Sequence, residues 1–203
     1  IGSATARVCA ALGAELILVD LLAPQVLADE LQAQGGKATA VVLDVANRVA
    51  TEALIAQIGI PDAVVLNAGW CPWDDWLESD WDQRFDAVID INLRSVVHMM
   101  RAVLPGMVER GRGRVVLVSS MAGRMGGLKA SPHYVAAKGG VGALVKWFAR
   151  RGAPHGVNVN AVAPGATQSA MTQDQPFDAT GIPVGRMAKP TEIALPIAFL
   201  CSP

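Results

Sequence analysis

The sequence predicts an α/β protein built on a mostly parallel, doubly wound sheet with helices on both faces. Three observations carry that prediction. Strand-like and helix-like stretches alternate along the whole chain. The strand-like stretches, such as "AELILVD" and "DAVVLNAG", are short continuous apolar runs, the pattern of strands buried on both faces. Turn-forming or hydroxyl-bearing residues follow the strands, at the carboxyl ends where open α/β sheets bind ligands.

The elements follow in order. Residues 3–12 read as a helix closed by Gly13, and 14–20 as a strand. Residues 24–34 form a helix with Pro24 near its start and Gly35-Gly36 after its end. "KATAVVLDV" is a strand, 47–58 a helix and "DAVVLNAG" a strand. Residues 81–110 are mostly helix, interrupted late by Pro105 and Gly106. "GRVVLVSS" is a strand, 132–151 a helix, "GVNVNAVAPG" a strand and 190–201 a helix. The pattern opens on a helix and stops within another, whereas a doubly wound sheet has its first strand at the centre. The expectation is one domain over 1–203 whose first and last strands are missing at the two ends.

Composition narrows the function. Of 203 residues, 52% are apolar and 17% charged, which suits one well-buried domain. A net charge of -1 offers nothing to a polyanion, so no nucleic-acid partner is expected. No apolar run reaches the roughly 18 residues of a spanning helix, so no membrane partner is expected either. Cys9, Cys71 and Cys201 are far apart and odd in number, and no CxxC occurs; they read as free thiols in a reducing, cytoplasmic setting. His98 and His155 show no metal spacing. "ERGRGR" at 109–114 reads as a solvated loop.

The strand ends hold the chemistry. Asp20 can accept hydrogen bonds from both hydroxyls of an adenosine ribose and would repel a 2′-phosphate, which favours NAD over NADP. Asp44 can bond an adenine amine or cap the helix that begins at 47. Asn67, Ala68 and Gly69 make a turn that permits close backbone approach to a ligand. Ser119 and Ser120 end the next strand, and either hydroxyl can donate to a substrate oxygen. Tyr134 is the chain's only tyrosine, and Lys138 shares its helix face at i+4. A nearby ammonium should lower the phenol from about 10 toward neutrality, making the pair a proton donor or acceptor. Pro164-Gly165 ends the last strand, with Thr167 and Ser169 in the loop beyond.

Taken together, these residues resemble the short-chain dehydrogenase/reductase family in its classical subclass, over essentially the whole chain. Gly2 is similar to the last glycine of the family's phosphate loop. Asp44-Val45 resembles its adenine-contacting pair. "NAG" at 67–69 resembles its NNAG, with Leu66 in place of the first Asn. Asn92 in "IDINL", Ser120, Tyr134 and Lys138 match the catalytic set, and "PG" at 164–165 the loop beside the nicotinamide. Ser120 stands 14 residues before Tyr134, one more than in many members, so Ser119 stays open as the substrate serine. Ser169 stands where many members have threonine. Met171–Pro183 is shorter than the usual substrate-covering segment.

The resemblance implies a Rossmann fold, bound NAD and a secondary alcohol or ketone as substrate. In it, Lys138 would bond the nicotinamide ribose, Ser120 would hold the substrate oxygen and Tyr134 would exchange the proton. Asn92 would hold a water linking Lys138 to solvent. The helices at 81–110 and 132–151 would pair between subunits, giving a homotetramer or homodimer. An NADPH-dependent 3-oxoacyl-thioester reductase is the alternative within the class, and a non-catalytic cofactor binder the alternative outside it. Trp70, Trp73, Trp76 and Trp81 are expected to supply packing or a subunit contact, with a substrate wall as the other reading. His133 points about 100° away from Tyr134 on an ideal helix and is expected to be a bystander.

Overall fold

The structure, a computed structural model, describes residues 1–127, 129–176 and 178–202; Phe177, within the expected lid of 171–183, lies outside them. α1 (Gly2–Ala11) leads to β1 (Glu15–Asp20), α2 (Gln25–Ala33), β2 (Lys37–Val42), α3 (Arg48–Ile58) and β3 (Ala63–Leu66). A long loop follows, then α4 (Trp81–Ile89), a π-turn over Asp90–Arg94, and α5 (Ser95–Glu109). Next come β4 (Gly113–Val118), the one-turn helix α6 (Ala122–Met125), α7 (Pro132–Gly152), β5 (Val157–Val162) and α8 (Pro190–Cys201).

All pairing between these strands is parallel. β1 pairs with β2, and β3, β4 and β5 pair in that order, with Val65 opposite Val116 and Val116 opposite Asn160. β1 and β3 do not pair with each other.

β4 shows why its apolar run is unbroken. Its Val115 and Leu117 pack with Met100, Val103, Val141 and Phe148 of α5 and α7. The alternate residues Val116 and Val118 meet Ile197 of α8 on the other face. Side chains alternate along a strand, so a strand covered by helices on both faces must be apolar at every position. Each such side chain contributes about 1.5–3 kcal/mol on burial.

The element boundaries differ from the sequence reading in instructive places. The helix expected over 81–110 breaks at Asp90–Arg94, not at Pro105. Asn92 Nδ2 donates to the Val88 carbonyl at 2.9 Å and to the Trp70 carbonyl at 2.8 Å, which favours a wider turn there. Pro105 is tolerated inside α5 because it and Arg101 are exposed, so the carbonyl it leaves unpaired meets water. Gly106 serves packing instead: a Cβ there would stand 2.5 Å from Ile60 Cγ1. Asp44 does not cap α3. Asn47 does, accepting from the Ala50 N–H at 3.1 Å, while Asp44 bonds the Ala46 N–H at 2.9 Å.

Candidate active site

A cleft runs along the carboxyl ends of the strands. Gly2, Asp20, Asp44, Val45, Asn67, Ala68, Gly69, Ser120, Tyr134, Lys138, Pro164, Gly165, Thr167 and Ser169 all line it. Residues up to 167 positions apart in sequence thus share one wall, because parallel strands deliver all their carboxyl ends to the same side. Asn92 is buried behind that wall.

Tyr134 and Lys138 project from the first two turns of α7, with the Lys138 Nζ 5.7 Å from the centre of the Tyr134 ring. Lys138 is 4% exposed, and its Nζ donates to the Val118 carbonyl at 2.9 Å. Burial lowers its pKa to about 8, against a small opposing pull from Cys71. Burial also pushes the Tyr134 phenol up; the Ser120 hydroxyl favours the phenolate but does not overcome this. The expectation that Lys138 depresses the tyrosine therefore does not hold in this chain. Burial in the cleft disfavours the charged form of each.

The two serines separate clearly. Ser119 is buried and donates its hydroxyl to the Lys138 carbonyl at 2.9 Å. Ser120 faces the cleft within reach of the phenol, accepting only from the Ala122 N–H at 3.1 Å. Its O–H lies beside the Tyr134 phenol, on the wall of the cleft.

Asn92 braces the opposite wall. Its Oδ1 accepts from the Trp70 N–H at 3.2 Å, and both amide hydrogens are engaged by the Trp70 and Val88 carbonyls. Its side chain thus has no spare donor for the water expected there. A Cβ on Gly69 would lie 2.8 Å from Asn92 Oδ1 and 3.2 Å from Lys138 Nζ, so only glycine fits between them.

The residues suit a nicotinamide dinucleotide. α1 begins at Gly2, turning its unpaired first-turn N–H groups and positive dipole end toward the cleft. A Cβ on Gly2 would fall 2.7 Å from Asn67 Nδ2, so the bare backbone keeps that approach open. Asp20 and Asp44 are exposed at the far end, each using one carboxylate oxygen on a nearby N–H, of Leu22 and Ala46, and leaving the other for a ligand. Thr167 is buried and bonds the Gly165 carbonyl at 3.1 Å, while Ser169 meets Thr172 at 3.3 Å. Among the described residues no cluster suits a metal ion.

The tryptophans divide. Trp70 and Trp73 line a side cavity of about 450 Å³ with Cys71, Pro72, Ala170, Met171, Asp174 and Gln175. All of these but Pro72 and Asp174, and Gly69 besides, also line the main cleft, so the cavity opens into it. Trp73 Nε1 donates to the Met171 carbonyl at 2.8 Å, tying the 70–77 loop to the segment across the cavity. Trp76 is exposed, and Trp81 stacks on His133 with ring centres 5.3 Å apart. His133 is fully buried and contacts Asp74 at 3.1 Å. Sequence reasoning missed Asp74, which sits 59 positions from His133 in a loop without periodicity.

Comparison with known proteins agrees with this geometry. The short chain dehydrogenase family matches residues 1–179. The chain is 36% identical over 220 residues to "Oxidoreductase UcpA" of Salmonella typhimurium, covering 100% of this chain and 83% of that protein. A 3-oxoacyl-[acyl-carrier protein] reductase from Brucella melitensis, solved with NAD bound, superposes with TM-score 0.90 at 30% identity, covering 98% of this chain and 79% of that one. A putative 2-deoxy-D-gluconate 3-dehydrogenase from Agrobacterium tumefaciens, solved with NADP bound, gives TM-score 0.88 at 33% identity, covering 98% and 82%.

Proposed function

Because this chain belongs to the short chain dehydrogenase family of NAD(P)-dependent oxidoreductases acting on CH–OH groups, we propose that it interconverts a secondary alcohol and a ketone with NAD(H), Tyr134 acting as general acid and base. The observation that carries this reading is the convergence of Ser120, Tyr134 and Lys138 on one cleft.

The cofactor supplies the hydride acceptor for oxidation, or the donor for reduction. Ser120 donates to the substrate oxygen and holds it beside Tyr134. In the oxidising direction Tyr134 takes the hydroxyl proton as the carbon loses hydride; in reduction it returns that proton to the forming alkoxide. Lys138, held by the Val118 carbonyl, presents a positive charge toward the phenol and the ribose. Asn92 holds the Trp70 backbone, and with it the wall facing Lys138. Asp20 supports NAD over NADP through its ligand-facing carboxylate.

The side cavity supports an uncharged substrate with an apolar group next to the carbonyl. Among its described lining residues Asp174 carries the only charge, and no lysine or arginine is there to meet an anion. A 3-oxoacyl-thioester reductase remains the second reading, favoured by the likeness to the Brucella enzyme. A dimer or tetramer through α5 and α7 is supported by the exposed Trp147 on α7. Three free thiols support a reducing, cytoplasmic setting.

Turnover of a panel of ketones and 3-oxoacyl thioesters, followed at the NADH absorbance band, tests the reading. Tyr134→Phe is expected to lose at least ~10²-fold in kcat, the usual range for a general acid/base, while still binding NADH. Full activity in that variant would remove Tyr134 from its role.

A further inference from the structure

Asp74 and His133 form a buried acid–imidazole pair next to Tyr134. The Asp74 side chain is 1% exposed and the His133 side chain 0%. Burying a carboxylate is costly unless every lone pair is met by a donor. Here Ser131 Oγ donates to Oδ1 and lies 3.0 Å from the Asp74 carbonyl. His133 Nε2 lies 3.1 Å from Oδ2, with Arg84 Nη1 at 3.8 Å from the same oxygen. Arg84 in turn holds Glu78 and Asp80. His133 Nδ1 accepts from the Tyr134 N–H at 2.8 Å, so the ring proton belongs on Nε2, aimed at Asp74. Trp81 lies flat against the imidazole, interplanar angle 12°, and Phe85 is 6.4 Å away.

This network joins two parts that catalysis must hold in register. Asp74 belongs to the loop whose Trp70, Cys71 and Trp73 wall the side cavity. Ser131 and His133 flank the start of α7, and His133 bonds the backbone of Tyr134. Trp73, one residue before Asp74, has φ +55°, a left-handed conformation costly for a large side chain. It is held there from both sides, by its indole bond to Met171 and by the Asp74 anchor.

We infer that Asp74, with Ser131 and His133, is a positioning clamp that fixes Tyr134 relative to the substrate wall. The inference rests on Tyr134 being the proton-transfer group. A 1 Å misplacement of a catalytic group can cost about a hundredfold in rate, so loss of the clamp shows in kcat. The cofactor end of the cleft is untouched by it.

The test uses the full-length protein carrying Asp74→Asn, His133→Gln, His133→Ala, Ser131→Ala and, separately, Tyr134→Phe. An asparagine cannot accept from Ser131 and His133 as the carboxylate does. The expected result for Asp74→Asn is a fall in kcat of at least about tenfold. NADH affinity, read by fluorescence, should stay within about twofold, since binding and positioning are separable. The deuterium isotope effect on hydride transfer should rise. His133→Gln should recover part of the kcat lost in His133→Ala, because its amide can donate to Asp74. If Asp74→Asn does not fold, Ser131→Ala carries the same expectation. Wild-type kcat and pH profile in a folded Asp74→Asn or Ser131→Ala, with Tyr134→Phe inactive, would overturn the clamp alone. Turnover retained in Tyr134→Phe would overturn the clamp together with its premise.

Discussion

Ser119 and Ser120 are adjacent, chemically identical and placed in different surroundings by strand alternation. β4 ends at Val118, and the next two side chains leave on opposite sides. Ser119 is buried on the Lys138 carbonyl, and Ser120 is half-buried beside the Tyr134 phenol. Ser119→Ala should therefore cost about 0.5–1.5 kcal/mol of stability by removing a second bond to a helical carbonyl, with kcat changed little. Ser120→Ala should do the reverse: thermal unfolding unchanged, kcat/KM down by about 10²–10³-fold for a lost oxyanion donor. Melting curves and steady-state kinetics on the two variants check both. Asp20 is decided at the same scale. Its carboxylate already holds the Leu22 N–H, and a 2′-phosphate beside it would be repelled. Asp20→Ser should lower the NADH/NADPH ratio of kcat/KM at least about tenfold, the worth of roughly 1.4 kcal/mol. A ratio that does not move would take Asp20 out of cofactor selection.

Between elements, the decisive contact is α6 on α7. A Cβ on Gly123 would collide with the Lys138 carbonyl carbon and stand 2.5 Å from the Gly139 nitrogen. Two backbones therefore touch beside the residue that carries the ammonium, with no flexible side chain to give way. Gly123→Ala is expected to destabilise the protein by about 1–3 kcal/mol, as overpacking does, and to lower kcat by displacing Lys138. Stability and activity both at wild-type levels would show that α6 can shift freely. The sequence pattern contains no α6, because a single turn is too short to show periodicity. Nor does it contain the π-turn, which depends on Asn92 finding Trp70 across 22 positions.

Asp74 is one of several carboxylates whose lowered pKa couples the stability of the molecule to acid. Burial raises the pKa of that carboxyl, but the bonds from Ser131 and His133 outweigh burial and leave it lowered. A lowered folded pKa means that its contribution to stability is complete above the unfolded value of about 3.9. That contribution is lost as pH falls through the folded value. Asp74→Asn removes this dependence, so the stability gap between wild type and variant should narrow as denaturation is measured from pH 5 down to about pH 3. A constant gap over that range would show that Asp74 ionises alike in both states.

At this scale the sequence alone determined the alternation of strands and helices. It also determined the parallel pairing, and the residues that the cleft at the strand ends gathers, from Asp20 to Thr167. These follow from local periodicity and from the rule that parallel strands end on one side. Only the tertiary structure decided that Ser119 bonds the Lys138 carbonyl, that burial moves Tyr134 up and Lys138 down, and that Asp74 meets His133. Desolvation and long-range hydrogen bonds depend on what packs around a group in space, and a linear pattern does not encode those neighbours.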